Sequence, residues 1–551
     1  MQIESATTHN TVSSGIVTAA HPCTNNRAPG ADAPDRPGRL GFLDCGSWLW
    51  LLMAAVLLLF SNGANTIALA AWLAPVFVLR FIRGRRAWIG LPVGYALFMA
   101  AFAFQFRGMV PISGIAYCIF LIIWGIPLIF PYVIDGLVSP RLDGLMATLV
   151  FPTAWAATEC FLSREVYGSW GSIAYSQYGN LPLLQILSVT GMWGVTFLMG
   201  WFAAVCNSLW QAWPLSHESA QWRRARFTAW LCASVIVAVM LLGGARLALF
   251  PPSSQTVRVA SISKQPEVAV PNDDVFTRLF RNRATSEDIA AVRNWAAVRD
   301  NDLLTRAERE MQAGAKIVFW GETNAAVLKE DEPALLARGA KLAAKYQSYL
   351  GMAVGVVDRG AREIDNRQTL PLENKLILVQ PDGRVAWMYD KAHPVPGGEA
   401  ALQMPGDGRL RALDTPYGRL SGIICFDGDF PRLLAQAGAL GADVMLDPSN
   451  DWRAIDPWHT QMASFRAIEQ GFNLIRHTSK GLSAAYDYQG HRLAASDYYQ
   501  TSDYAMTSDI PTRGVRTIYS RLGDWFGWLC LAALVFLITR SLFTPAAVGS
   551  E

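Results

Sequence analysis

Three ionisable side chains in the second half of the chain stand at the ends of apolar runs. Glu322 follows Lys316-Ile-Val-Phe-Trp-Gly, Lys391 follows Arg384-Val-Ala-Trp-Met-Tyr-Asp, and Cys425 closes Leu420-Ser-Gly-Ile-Ile. In α/β sheets the C-terminal edges of strands are where ligands bind. A thiol, a carboxylate and an amine placed there are the set that thiol acyl transfer needs: a nucleophile, a base for its proton, and a cation for the oxyanion. Cys425 is the only cysteine between residues 233 and 529. The helix-like run Phe430-Pro-Arg-Leu-Leu-Ala-Gln-Ala-Gly after it would set a helix N-terminus near the thiol and favour the thiolate. Each residue also has a plainer reading: Glu322 as a helix-start carboxylate, Lys391 as a solvated strand end, Cys425 as a small core residue. His393, beside a Pro-rich loop, and His459, on an expected helix, leave a Cys–His pair open as the alternative.

The elements that must position these residues alternate between strands and helices over 256–515. Strands are expected at Thr256-Val-Arg-Val-Ala-Ser-Ile-Ser, before Glu322, at Leu350-Gly-Met-Ala-Val-Gly-Val-Val, and at Ala442-Asp-Val-Met-Leu-Asp. Further strands are expected at Asn473-Leu-Ile-Arg-His-Thr and Gly481-Leu-Ser-Ala-Ala-Tyr. The run Asn374-Lys-Leu-Ile-Leu-Val-Gln, the turn Pro381-Asp-Gly383 and the strand before Lys391 read as a hairpin. Helices are expected near 284–314, 333–347 and 457–470. Strand pairs interleaved with helix pairs point to a layered α+β sandwich, αββα, rather than a doubly wound sheet.

The rest of the chain is too apolar for an ordinary soluble protein: 52% of the 551 residues are hydrophobic and 17% charged. The excess lies in 45–250. Spans are expected near 46–62, 64–81, 88–106, 113–134, 143–162, 184–210 and 227–250, with an isolated one near 523–541. The leader, 1–44, is polar and rich in Pro, Gly and Asn, and is expected to be disordered. Four parts follow: the leader 1–44, a membrane domain 45–250 with about seven helices, a catalytic domain 251–520, and a final span with a short tail, 521–551. Arg80, Arg83, Arg85 and Arg86, then Arg141, then Arg223, Arg224 and Arg226 fall on one side if the spans alternate. The positive-inside rule makes that side cytoplasmic, with both termini, and puts 251–520 outside. The net charge of +3 and the lack of a basic block argue against nucleic acid. No Gly-rich phosphate loop and no ligand-spaced His/Cys cluster appears, so neither a cofactor nor a metal is expected. Six of the eight cysteines, Cys45, Cys118, Cys160, Cys206, Cys232 and Cys530, lie in or beside apolar segments, and Cys23 is in the leader.

Local motifs carry a resemblance beyond this. Trp320-Gly-Glu322 resembles the Trp-Pro-Glu of the nitrilase, or carbon–nitrogen hydrolase, superfamily in its membrane-embedded branch, the apolipoprotein N-acyltransferases of bacterial envelopes. Lys391-Ala-His-Pro-Val-Pro-Gly-Gly-Glu399 resembles the branch's lysine loop, and Cys425-Phe-Asp427 its Cys-Tyr-Glu. Ser449-Asn-Asp-Trp452, Pro457-Trp-His-x-Gln-Met-Ala463, Tyr175-Ser-Gln177 and Leu184-Gln-x-x-Ser-x-x-Gly191 extend the likeness over roughly 45–541. The resemblance implies an αββα catalytic domain with Glu322 as base, Lys391 as oxyanion stabiliser and Cys425 as nucleophile. It also implies supporting or substrate-binding roles for Glu399, Phe426, Asp427, Asn450 and Trp452. The implied reaction moves a fatty acyl chain from a phospholipid, through a thioester, to the amino terminus of a lipoprotein's diacylglyceryl-cysteine, in the bacterial inner membrane. Gly321, Gly397, Phe426 and Asp427 depart from the pattern, which keeps open a divergent acyltransferase for another amine. A membrane-anchored amidase or nitrilase is the other reading.

Overall fold

The computed structural model of the chain describes residues 47–265, 270–359 and 370–543, and the backbone alone of 363–364 and 367–368. The leader 1–44 with Cys23, the neighbouring Cys45, and the tail beyond Phe543 lie outside the described residues.

The apolar half folds as a helical bundle: α1 (Trp48–Leu59), α2 (Ala68–Arg83), α3 (Ala87–Gln105), α4 (Gly114–Val138), α5 (Gly144–Leu162), the one-turn α6 (Leu181–Leu184) and α7 (Leu187–Thr190), α8 (Trp193–Ala212) and α9 (Ala220–Leu249). With α16 (Trp525–Leu542), five helices are long and apolar enough to cross a membrane, or six if the broken pair ending in α8 is one span. Among the described residues four of these, or five with the broken pair, precede residue 250, where seven spans are expected; two features of the helices account for the difference. The first two apolar runs form a hairpin of 12- and 16-residue helices, about 18 and 24 Å long, short of the roughly 30 Å hydrocarbon layer. The run 184–210 is bent by 116° at Gly191, whose φ of +66° seats it against the Tyr519 ring.

A hairpin returns the chain to the face it left, so its depth does not alter the side reached by residue 251. Trp48, at the start of α1, packs on Phe81 near the end of α2, and Arg85 lies over the Trp48 ring. The ends that carry Arg83, Arg85 and Arg86, then Arg141, then Arg223, Arg224 and Arg226 share one side of the bundle, where Arg83 pairs with Asp135 and Arg224 with Asp143. The turns 60–67, 106–113 and 163–192 share the other, where the second half docks.

That second half is an αββα sandwich. One mixed sheet runs in the order β15 (Ala505–Pro511), β1 (Thr256–Ile262), β2 (Ile317–Trp320), β4 (Tyr349–Val357), β7 (Leu372–Val379), β8 (Val385–Asp390), with β3 (Ala325–Leu328) extending β2's place beside β4. The other runs β14 (Arg492–Asp497), β13 (Leu482–Tyr486), β12 (Asn473–Ser479), β11 (Val444–Asn450), β10 (Gly418–Gly422), β9 (Ala412–Thr415). A two-residue pair, β5 (Glu363–Ile364) with β6 (Arg367–Gln368), forms a separate small sheet in the β4–β7 connection. The sheets pack on apolar inner faces, where Gly422 leaves room for Leu376 and Trp387 of the facing sheet. Outside the first sheet lie α11 (Ser286–Gln312) and α12 (Glu332–Tyr346), with the shorter α10 (Asp273–Phe280) alongside. Outside the second lie α13 (Pro431–Leu440) and α14 (Trp458–Gln470), with α15 (Ile518–Leu522) linking to α16.

The helix α14 explains how the halves join. All but one of its residues are buried, because one face covers the second sheet and the other faces the bundle. Trp458, Met462, Phe465 and Ile468 share a core with Trp170, Tyr175, Leu187 and Trp193 of the membrane half. Polar pins reinforce this seam: Ser169 Oγ donates to the Asp429 carbonyl at 2.7 Å, Met192 N to Glu469 Oε1 at 2.9 Å, and Trp452 Nε1 to the Gly108 carbonyl at 2.8 Å.

Candidate active site

The three strand-end residues meet at the edge where the two sheets face each other. Glu322 lies just beyond β2, Lys391 just beyond β8, and Cys425 three residues beyond β10. All are buried: 1% of Glu322, 0% of Lys391 and 4% of Cys425 is exposed. Lys391 Nζ donates to Glu322 Oε1 at 2.8 Å and to Glu399 Oε2 at 2.6 Å, which leaves the third hydrogen of the ammonium free of these two carboxylates. Asn374, the third residue of β7, donates to the same Glu322 Oε1 at 2.7 Å. Glu322 Oε2 is buried and has no hydrogen-bond partner among the described residues. One carboxylate oxygen is therefore clamped, and the other is available for a proton.

Charge and burial set the protonation states. Burial raises the Glu322 carboxyl above its ordinary value, opposed by the charge of Lys391 and reinforced by Glu399. Burial lowers the Lys391 ammonium, but the facing charges of Glu322 and Glu399 outweigh it and hold the amine protonated. Burial also pushes the Cys425 thiol well up, and the Glu322 charge adds to this against Lys391. The expected helix-dipole activation is not what the fold provides. Cys425 opens a short 3-10 turn, Cys425–Asp429, with φ +54°, and α13 starts only at Pro431. Burial thus favours the neutral thiol over a preformed thiolate.

A second charged cluster borders Cys425. The Cys425 N–H donates to Asp447 Oδ1 at 2.9 Å, and Arg476 Nη1 holds Asp447 Oδ2 at 2.6 Å. Asp451 Oδ1 lies 3.9 Å from Cys425 Sγ, 2.9 Å from His459 Nδ1 and 3.3 Å from Arg476 Nη2. His459 Nε2 is 3.3 Å from Asp429 Oδ2. Burial and Arg476 lower the imidazole's proton affinity, but the two aspartates win and raise its pKa to about 9. His459 is thus an imidazolium bracing Asp451 rather than a general base for Cys425. Cys425, Asp451 and His459 present ligand atoms within 4.8 Å of one another, a grouping no sequence spacing revealed. Arg476 Nη2 also borders this grouping, 2.8 Å from His459 Nδ1. Arg476 was legible only as an arginine inside an otherwise apolar strand, and Asn374 as an asparagine opening one, both unusual in buried strands.

The supporting residues divide in two. Glu399, Phe426, Asn450 and Trp452 line the cavity over Cys425, together with Val395 and Pro396. Asp427 does not: it is fully buried and accepts from Tyr389 Oη at 2.7 Å, from His393 N at 2.9 Å and from His393 Nδ1 at 3.0 Å. Its place is beneath the lysine loop, where it ties the 389–393 segment to the cysteine turn. Gly397, with φ +84°, lies where a Cβ would stand 2.8 Å from Ile112 Cγ2. The 106–113 turn of the membrane half fills the space an aromatic would take. The cavity is completed from that half by Met109, Val110, Pro111, Tyr167 and Trp170, and its volume of ≈ 30 Å³ admits a water or two, not an acyl chain.

Comparison with known proteins agrees with this architecture. The chain belongs to the carbon-nitrogen hydrolase family, which residues 210–515 match. Residues 54–205 match the apolipoprotein N-acyltransferase N-terminal domain. An apolipoprotein N-acyltransferase of Geobacter metallireducens is 27% identical over 73% of this chain and 76% of that protein. One from Bradyrhizobium diazoefficiens is 25% identical over 67% and 69%, and an apolipoprotein N-acyltransferase 2 of Treponema pallidum is 26% identical over 70% and 74%. Among solved structures, an amidase from Nesterenkonia sp. is 17% identical, covers 47% of this chain and 92% of its own, and has a TM-score of 0.36.

Proposed function

We propose that the chain is a phospholipid-dependent N-acyltransferase that acylates the amino terminus of diacylglyceryl-cysteine on lipoproteins. The observation that carries this reading is the composition of the cavity over Cys425. Five of its lining residues come from the turns 106–113 and 163–180 of the membrane half, so the thiol faces the bilayer surface rather than open solvent. An amidase acting on small soluble amides has no use for that placement. The names of the relatives support the same reading.

In the first half-reaction, Glu322 takes the proton of Cys425 as Sγ attacks the ester carbonyl of a phospholipid. The free hydrogen of Lys391 stabilises the oxyanion. Glu322 returns the proton to the departing lysophospholipid oxygen, leaving a thioester on Cys425. In the second, the free α-amine of the acceptor attacks the thioester. Glu322 takes the amine proton, the amide forms, and the thiolate of Cys425 leaves and is reprotonated. The cavity must widen to admit the chain, and the apolar lining from Met109, Val110, Tyr167 and Trp170 then limits the access of water to the thioester between the two steps. The positive-inside rule places the basic end of the bundle in the cytoplasm and the cavity on the outer side of the inner membrane.

The test is intact mass after incubation with phospholipid, comparing the native chain with Cys425→Ala. The expected result is a gain of one acyl group that requires Cys425, is released by hydroxylamine, and is matched by lysophospholipid. Transfer of that group to water at the same rate with and without an acceptor lipopeptide would favour the amidase class instead.

A further inference from the structure

A second cleft lies on the catalytic-domain side of the bundle, where α9 leaves the membrane and the segment 515–518 leads back to it. Its volume is ≈ 610 Å³, and Ser188, Arg246, Tyr488, Arg516 and Thr517 supply its polar wall. It is separate from the cavity over Cys425. Thr517 bonds to the Glu469 carbonyl at one end of α14, whereas His459 borders the cavity at the other, about 15 Å along the helix.

The cleft holds two arginines without carboxylate partners. Arg246 is half-buried, and its guanidinium makes no hydrogen bond or ion pair among the described residues; Nη1 is shielded from solvent. The acid whose charge reaches it through space, Asp487, is already held by the backbone N–H groups of Gln489 and His491 and by the His491 ring at 2.9 Å. Arg516 is exposed and donates to the Gly438 carbonyl, and it too has no acidic partner among the described residues. A partly desolvated cation without a hydrogen-bond partner, as at Arg246, is costly and calls for an anion, and the exposed Arg516 adds a second positive charge to the same cleft. The rim gives the anion's character: Leu249, Phe250 and Ile518 line the same cleft and are all exposed. Cationic floor and apolar rim, at the level where two membrane helices end, match a phosphate attached to acyl chains rather than a free ion.

We propose that this cleft binds the headgroup phosphate of an anionic phospholipid from the leaflet facing the catalytic domain, at a site distinct from the reaction cavity. The lipid pairs with Arg246 and Arg516 and lays its chains against Leu249, Phe250 and Ile518. It thereby pins the catalytic domain to the bilayer without being consumed. The inference does not depend on the reaction proposed above.

The test uses the full chain carrying Cys425→Ala, so that no lipid is consumed, in detergent with added phosphatidylglycerol. Native mass spectrometry counts the lipids retained. The Arg246→Gln/Arg516→Gln variant is expected to lose one tightly held phosphatidylglycerol, and Arg246→Lys to keep it. Equal retention in parent and double variant would overturn the proposal, as would equal retention of phosphatidylcholine in the parent. Displacement by millimolar inorganic phosphate would identify a free-phosphate site and also overturn it. Where Arg246→Gln does not fold, Arg516→Gln decides, because that side chain is exposed and its loss leaves no buried gap.

Discussion

At the scale of single residues, Glu322 offers one oxygen to Lys391 and Asn374 and keeps the other unbonded. Replacing it by Gln keeps the shape and removes the basicity, so acyl-enzyme formation should fall roughly 10²–10⁴-fold. Because the Glu322 carboxyl is raised, the acid limb of the pH–rate profile should lie above the range of an exposed glutamate. A profile with an ordinary acid limb would count against Glu322 as the base. Lys391→Ala strands Glu322 and Glu399 without their shared cation and is expected to cost roughly 3–5 kcal/mol of stability as well as turnover. Thermal melting alongside intact mass separates the two losses. His459 supplies a stability prediction of definite sign. Its pKa is raised to about 9, so its contribution is full below the unfolded value near 6.5 and is lost as pH rises through about 9. The melting temperature should therefore decline between pH 7 and 10, and less steeply in His459→Gln. These residues differed in legibility. Glu322, Lys391 and Cys425 could be found because strand ends are marked by local apolar runs. The partnership of Asp451, His459, Arg476 and Asp447 joins α14 to three stretches of the second sheet, and no spacing along the chain encodes it.

At the scale of elements, the decisive contact is the 106–113 turn lying over the reaction cavity. It is held by the Trp452–Gly108 bond and by the gap at Gly397. Gly397→Phe would place a ring against Ile112 at a positive φ that L side chains rarely adopt, displacing the turn. A loss of roughly 10–100-fold in acyl transfer is expected, with Cys425 becoming more reactive to a soluble maleimide. Unchanged labelling would show that the turn does not cover the thiol. The expected strands and helices of 256–515 appear near their anticipated positions, from β1 to β13, since each carries its own apolar pattern. Three short or half-exposed strands, β3, β9 and β14, and the closing strand β15 were not anticipated. The pairing of β15 with β1 across about 250 residues is a tertiary fact. Each of the seven apolar runs before residue 250 carries a helix, but an apolar run gives length and not the break at Gly191 or the shortness of α1.

At the scale of the whole molecule, α14 is a shared wall between sandwich and bundle. Residues 251–520 expressed alone would expose Trp458, Met462, Phe465 and Ile468 and leave Arg466 and Glu469 without their bundle-side partners, Met192 among them. That fragment is expected to aggregate, and a soluble, monomeric fragment would show the seam to be dispensable. The orientation has its own test. A single cysteine placed at Glu218, in the turn that precedes Arg223 and Arg224, should react with a membrane-impermeant maleimide only after permeabilisation. One placed at Gln500, on the sandwich, should react in cells whose outer barrier alone is opened.

The chain order already carried the chemistry and the membrane. Apolar runs of bilayer length, one lone thiol in a soluble-looking half, and charged side chains closing strands are local properties that need no neighbours to be read. Tertiary structure decided what those groups experience. Burial between two sheets made the thiol neutral rather than an activated thiolate, and the facing aspartates made His459 a cation rather than a base. The departure at Gly397 acquired its meaning from a turn almost 300 residues earlier in the chain. Protonation depends on the field of groups brought close in space, and closure of a cavity depends on which loops meet over it. Neither is a property of sequence distance.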